Sequence, residues 1–394
     1  MIQSVTAGAV RIAMSRPFDH ARSERRTSDS VLLRMESAGA VGWGECAPRV
    51  YVTGETSVQV LADLARIDYS VASSAIDWTG FEAAVDSLIE LDVASLTGRP
   101  KHGGATSAVL EGALLDVICR TWKRTFADAF EWAGLRFHPI STSAAIDVST
   151  VLDLSRNQEG FVTAMESDQL EALRFLKIKA FRDPWRTLQT ITRLAQVIPG
   201  NARLVVDVNG MWSEGEVLDV APLLADAGVA WIEEPTEPRQ WPVLRRIREQ
   251  AGIGIMLDES FTSASDIYQA TDQGAASHVN IRVSKCGGPL SAMRMAAIAR
   301  AHGLRYQVGV HVGEVGPLWA AGRHVASALG DAETVEAGRQ DEWFPMVLTE
   351  PRFTVDRQLH KVPQLYGPGC GVVPTAELLS HFAPEVRWHR KENK

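Results

Sequence analysis

The sequence predicts an α/β fold, a (β/α) barrel preceded by an α+β domain, on three observations. From Leu173 to Gly288, charged residues close short apolar runs at a near-constant interval. Lys179, Asp207, Glu233, Asp258 and Lys285 stand 28, 26, 25 and 27 residues apart. One strand, one helix and two loops fill about that length in a βα unit. Amphipathic stretches such as 184–197 and 291–302 lie between the runs, so strand and helix alternate, as a parallel sheet closed on itself requires. The first 130 residues follow another pattern, strand-like alternation and then helical periodicity.

A chain of 394 residues with 45% hydrophobic content can bury a large core and suits two domains. The net charge of −8, without a long basic block, argues against a nucleic-acid partner. No apolar run is long enough to span a bilayer, and the N-terminus has no signal-peptide pattern, so a cytoplasmic protein without a membrane partner is expected. Cys46, Cys119, Cys286 and Cys370 form no CxxC pair and imply neither a disulfide framework nor a zinc site.

In order, the α+β capping domain is expected over residues 1–130. Strands are predicted around Val10, at 30–36 and at 41–45, with a tight turn at 37–40. The stretch from Ser15 to Asp29, with Arg16, Arg22, Arg25 and Arg26, reads as a mobile loop. A second loop, carrying Tyr51 and Thr53, follows at 48–55, and helices dominate from 56 to about 125. The barrel is expected over 131–349. Its strands are placed at 143–146, 173–180, 204–208, 229–233, 254–257, 278–281, 306–310 and 334–336. Residues 350–394 show no further βα unit and are expected to complete the first domain, ending in a frayed basic tail from Arg387.

The C-terminal ends of barrel strands meet at one mouth, where active sites are built. Asp207, Glu233 and Asp258 would there face one centre with lysines on both sides. Strand alternation puts Lys177 and Lys179 on one face, and Asp207 with Asn209 on another. Any one of these acids alone would more often be a helix cap or a surface ion pair. Three on adjacent strands suit a hard cation such as Mg²⁺, which prefers oxygen ligands.

As a set, Lys177-Ile-Lys179, Asp207-Val-Asn209, Glu233-Glu-Pro235, Asp258-Glu-Ser260 and Lys285-Cys-Gly-Gly resemble the enolase superfamily, within it the muconate-lactonizing-enzyme subgroup. The resemblance spans nearly the whole chain and implies a modified TIM (β/α)7β barrel with an N-terminal capping domain. It implies Asp207, Glu233 and Asp258 as ligands of Mg²⁺, with Mn²⁺ as the alternative. It also implies removal of the α-proton of a small carboxylate substrate to give a metal-stabilised enediolate, with a lysine or histidine base as is usual in that superfamily. Lys179 is assigned as one acid/base, Lys285 as its partner on the opposite face, and Lys177 as the charge that tunes them. Glu233 and Glu234 cannot both face the centre, and the motif match favours Glu233.

Outside these groups, Asn209, Glu314, Glu336, Tyr51 and Thr53 are candidate substrate or supporting contacts, and the arginines at 16, 22, 25 and 26 a candidate second anion site. His278 and His311 read as satisfied barrel histidines, and Trp212 and Trp231 as core. The mandelate racemase branch would pair His311 with an acid on strand six, but Lys285 occupies that region. The dipeptide-epimerase form expects Asp-x-Asp on strand eight, where this chain has Val335-Glu336-Ala337. The expected activity is an isomerase, a cycloisomerase or a racemase/epimerase. The alternatives are a dehydratase or lyase of the o-succinylbenzoate-synthase kind, a Schiff-base aldolase with Lys179 or Lys285 as nucleophile, or a non-catalytic binding relative. Symmetric homo-oligomers are common for such barrels, though no interface is legible here.

Overall fold

A computed structural model of the chain describes every residue except 21–22, 97–103, 138–144, 155–156, 337–339, 353–354 and 392–394. Seven parallel strands form one sheet in chain order: Ser149–Leu152, Phe175–Lys179, Arg203–Asp207, Val229–Glu233, Gly254–Leu257, His278–Ile281 and Arg305–Val308. Val335 occupies the eighth place as a bridge, parallel to Val148 on one side and Val308 on the other. Its neighbours complete the ring through Ser149 N to Val335 O (2.9 Å) and Glu336 N to Val308 O (2.8 Å). Each strand leads into a helix started by local chemistry. Ser213 and Ser263 cap theirs reciprocally with Glu216 and Asp266, while Asp183 caps a helix with Pro184 in its first turn.

The first barrel strand departs from expectation. Residues 143–144 lie outside the described residues, and Ile146–Asp147 pairs antiparallel with Lys361–Val362 instead of joining the barrel. The barrel strand is Ser149–Leu152, paired with Phe175–Ile178. Its β-branched Thr150 and Val151 suit a pleated surface better than the alanines before Ile146.

The capping sheet is antiparallel, in the order Phe382–His389, Ile2–Val10, Ser30–Ser37, Ala40–Cys46. The expected C-terminal tail is therefore an edge strand through His389, and the frayed-tail reading is corrected as far as the described residues go. Pro384 is tolerated there because an edge strand leaves one side unpaired. The helix Gly104–Thr121 lies against this sheet, and Gly44 permits the approach: a Cβ there would meet the Val109 carbonyl oxygen at 2.0 Å. Where a mobile loop was expected, Ala13–His20 and Ser23–Thr27 form a two-stranded ribbon. Its polar sequence hid it, because backbone bonds hold a ribbon, and Phe18 anchors this one by packing edge-on against Trp343 (centroids 5.8 Å apart).

Buried carboxylates join the cap to the barrel. Glu45, on the capping strand Ala40–Cys46, accepts from the backbone N–H of Val315 (2.6 Å), Gly316 (3.0 Å) and Leu318 (3.0 Å), at the start of the barrel helix Pro317–Leu329. Glu111 does the same for the helix Pro289–Ala301 through Leu290 and Ser291. Anions at helix N-termini satisfy orphan donors and complement the helix dipole. Among the described residues no helix is long and apolar enough to cross a membrane.

Candidate active site

Lys177 and Lys179 sit on the second barrel strand, both buried and both turned inward. The Lys177 ammonium lies 2.7 Å from Glu233 Oε2, 3.1 Å from Asp207 Oδ2 and 2.5 Å from Glu336 Oε1. Lys179 donates to Asp207 Oδ2 (2.5 Å) and Asn209 Oδ1 (3.1 Å). On the other side, Lys285 donates to Asp258 Oδ1 (2.7 Å) and to the Asp258 carbonyl (2.6 Å). The acids of strands three to five are thus flanked by a lysine from each direction.

Lys285 stands beyond the sixth strand, on the short helix Val283–Cys286. Gly287 and Gly288 end that turn at φ +97 and +133, and a Cβ on Gly288 would fall 2.2 Å from Glu111 Oε1. The glycine pair lets the turn close over the capping helix and hold Lys285 inward.

Glu233 points into the barrel, where Asn280 Nδ2 (3.0 Å) and Gln307 Nε2 (3.2 Å) donate to it. Glu234 turns the other way and accepts from the backbone N–H of Asp258 (2.8 Å) and Ser260 (3.0 Å). Glu234 and Asn209 both carry positive φ, +40 and +50, so the backbone strain collects beside the carboxylates.

Burial alone would neutralise these groups, and their charges decide otherwise. Burial disfavours a charged Lys177, but Asp207, Glu233 and Glu336 overcome it and push its pKa well above the lysine value. Against the same burial, Lys177 and Lys179 hold Asp207 down at about 2, and Arg282 and Lys285 hold Asp258 low. Glu233 is pushed up by burial and by Asp207, Asp258 and Glu336.

Among the described residues no three acids, histidines or cysteines converge on a ready-made metal cage; each acid is drawn onto a nearby cation. The donor chemistry still fits a hard divalent ion: three carboxylates, all oxygen donors, stand at the ends of three adjacent strands.

The Lys179 side of the cluster opens into a cavity of about 330 Å³, while Lys285 and the acids Asp207, Glu233 and Asp258 lie beneath its lining. Lys179, Asn209, Arg282, Glu336 and Tyr51 line it, and Phe18, Phe161, Met165 and Trp343 make part of its wall apolar. Thr53 does not reach it; its hydroxyl lies toward the Arg49 carbonyl at 3.5 Å. Glu314 is buried behind the cavity, accepting from His311 N–H (2.6 Å). Of the arginines, Arg16 pairs with Asp153 (3.1 Å), Arg25 lines the cavity, Arg26 is exposed beside Glu24, and Arg22 lies outside the described residues. Trp212 and Trp231 are buried, and His278 bonds Ser277 (2.7 Å) at the start of its strand.

Sequence reasoning missed Arg282, Asn280, Gln307 and Glu259. Arg282 Nη2 is 2.6 Å from Asp258 Oδ2, and Glu259 lines the cavity. The signal was present: His278, Asn280 and Arg282 alternate with apolar residues, which marks one polar inward face. His311 corrects the satisfied-histidine reading. It lines the cavity, and neither ring nitrogen has a hydrogen-bond partner among the described residues.

Residues 160–378 match the family described as enolase C-terminal domain-like. The chain is 24% identical over 309 residues to the chloromuconate cycloisomerase CbnB of Cupriavidus necator, covering 77% of this chain and 78% of the relative. In structure it resembles the N-succinyl Arg/Lys racemase of Bacillus cereus (TM-score 0.82, 21% identity, 99% of this chain and 100% of that one). It also resembles a dipeptide epimerase of Enterococcus faecalis complexed with Mg and the dipeptide L-Leu-L-Tyr (TM-score 0.77, 18% identity, 94% and 99%). On the family match, the strand order and these likenesses, the chain belongs to the enolase superfamily, among the muconate-lactonizing-enzyme-like isomerases and epimerases.

Proposed function

We propose that this chain is a Mg²⁺-dependent isomerase that moves the proton on the carbon next to a substrate carboxylate, as a racemase or epimerase does. One observation carries the reading: Lys179 and Lys285 flank the carboxylate cluster from opposite sides. A 1,1-proton transfer needs one group to take the proton from one face and another to return it to the other. Asp207, Glu233 and Asp258 would hold the ion. When bound, Mg²⁺ supplies positive charge against the substrate carboxylate and so makes the neighbouring carbon a stronger acid.

The rest is work for the chain's own residues. Lys177, held charged by three acids, keeps a fixed positive charge beside the base Lys179. Asn209 accepts from Lys179, and its side-chain amide donates to Glu259 Oε1 (3.2 Å), so the base is oriented by a bonded chain. The apolar wall of Phe18, Phe161, Met165 and Trp343 excludes water from the reacting carbon.

A cycloisomerase is the second reading, favoured by the likeness to chloromuconate cycloisomerase; it shares the carboxylate site and needs proton delivery to one face only. The test is α-proton exchange in D₂O with Mg²⁺ and a set of dipeptides, N-acyl amino acids and muconates. Deuterium in both stereoisomers of one acid, lost with EDTA, supports the racemase or epimerase. Exchange or ring closure on one face alone favours the cycloisomerase. Borohydride trapping of substrate on a lysine would replace both with an aldolase.

A further inference from the structure

We propose that His311 contacts the substrate and reads a second oxygen acceptor on it, a carbonyl or carboxylate oxygen besides the carboxylate at the reacting carbon. This rests on the carboxylate reading above and names a feature of the substrate that the reading leaves open.

His311 follows the seventh barrel strand, is 2% exposed, and lines the cavity beside Arg282 and Glu336. Among the described residues neither Nδ1 nor Nε2 has a hydrogen-bond partner. Buried polar groups are seldom left so without a reason, and ligand recognition is one.

The backbone that carries the ring is held on successive residues, by the capping domain at 312 and 313 and by Glu314 of the same loop. Arg49 Nη2 donates to the Val312 carbonyl (2.5 Å), Ser30 Oγ to the Gly313 carbonyl (3.1 Å), and the His311 N–H to Glu314 Oε1 (2.6 Å). Gly313 sits at φ +97, where any Cβ would also approach Ser28 Cα at 3.3 Å. Glu45 anchors the next residues through Val315 and Gly316. The cap thereby sets the position of a barrel side chain.

Burial, then Arg282, Arg49, Lys285 and Arg25, hold the imidazole neutral. A neutral imidazole offers one N–H donor. Those four cations act on the ring, which suits an electron-rich oxygen beside it. Arg25 adds to this, since it lines the same cavity and forms no ion pair among the described residues; Arg16 and Arg357 are engaged by Asp153 and Glu342.

The test uses the full-length, Mg²⁺-loaded protein with two matched pairs of acids: 4-oxo-4-phenylbutanoate against 4-phenylbutanoate, and cis,cis-muconate against 2,4-hexadienoate. Members of a pair differ by one oxygen-bearing group. Affinity is measured by calorimetry, and the His311 ring nitrogens are followed by ¹⁵N resonance. In each pair the oxygen-bearing acid is expected to bind about tenfold tighter and to shift the His311 resonance, as one added buried hydrogen bond allows. His311→Phe should equalise the pairs, while His311→Gln, which keeps an N–H donor, should restore part of the preference. Unfolding temperatures confirm that both variants fold. Equal affinities in the wild type, a preference kept in His311→Phe, or no binding by any of the four acids overturns the proposal. Isotope exchange on the same samples is a separate readout: a His311 shift without exchange in any acid sinks the reaction and leaves this contact standing.

Discussion

The Lys177 ammonium sits 2.7 Å from Glu233 and also touches Asp207 and Glu336, so one buried cation compensates three acids on three strands. Its removal would leave buried negative charge unmatched. Lys177→Met should destabilise the metal-free protein by about 3–5 kcal/mol, the cost of breaking a buried ion pair from one side. A bound divalent ion would restore the lost charge. Thermal unfolding with and without Mg²⁺ checks this: the rise on adding Mg²⁺ should be larger in the variant than in the wild type. An equal rise would mean that the acids do not hold the ion.

The lysines on the two sides should fail differently. Lys179→Ala should abolish isomerisation yet leave isotope exchange in the stereoisomer whose proton faces Lys285, and Lys285→Ala should give the mirror result. A loss of about 10²–10⁴ in rate is the usual consequence of removing a general acid or base. Exchange followed separately on each stereoisomer decides the matter. Loss of both exchanges in both variants would show that the lysines act as one unit rather than as two faces.

Much of the barrel was legible because its strands end in charge. The runs 204–206 and 254–257 are apolar and each is followed by an acid, and a barrel collects such ends at one mouth. The first strand, Ser149–Leu152, also ends in an acid, Asp153, but its run is short and half polar, and the strand was set a few residues early. The capping edge strand Phe382–His389 was hidden by distance: its partner Ile2–Val10 lies at the other end of the chain, and local propensity cannot report a pairing that remote. Within the site, the lysines and acids were visible as motif members, and Arg282 and Asn280 were visible in principle by alternation. That His311 lacks partners was not visible at all, since it depends on what the capping domain brings to the loop beside it.

Glu45 should be the largest single contributor to the seam between cap and barrel. It accepts three backbone N–H groups at the start of the helix Pro317–Leu329 and the Ser30 hydroxyl at 2.8 Å. Glu45→Ala leaves those donors buried without an acceptor, a loss of about 3 kcal/mol in denaturant unfolding if the helix cap and one further donor go unsatisfied. Since the same residues pin the loop of His311, the variant should also weaken substrate binding more than it slows turnover. A variant of wild-type stability would show that water replaces the carboxylate there.

The pH dependence of stability should carry a histidine signature. Burial pushes His324 down to about 4, although its Nε2–H donates to the Cys370 carbonyl at 3.1 Å. Burial, then Arg305, Arg203 and Arg248, push His278 to the same value. Between the ordinary value of 6.5 and about 4, the unfolded chain binds protons that the native fold refuses. Stability from these two groups is therefore full above about pH 6.5 and is lost as pH falls towards 4. Buried glutamates such as Glu45 and Glu111, whose pKa values burial raises, act in the opposite sense as pH falls. The informative quantity is thus the difference between the wild type and a His278→Gln, His324→Gln double variant. Their unfolding temperatures should differ in slope from pH 7 to 4.5, with the wild type losing more. Parallel slopes would mean that both imidazoles take up protons in the native state without cost.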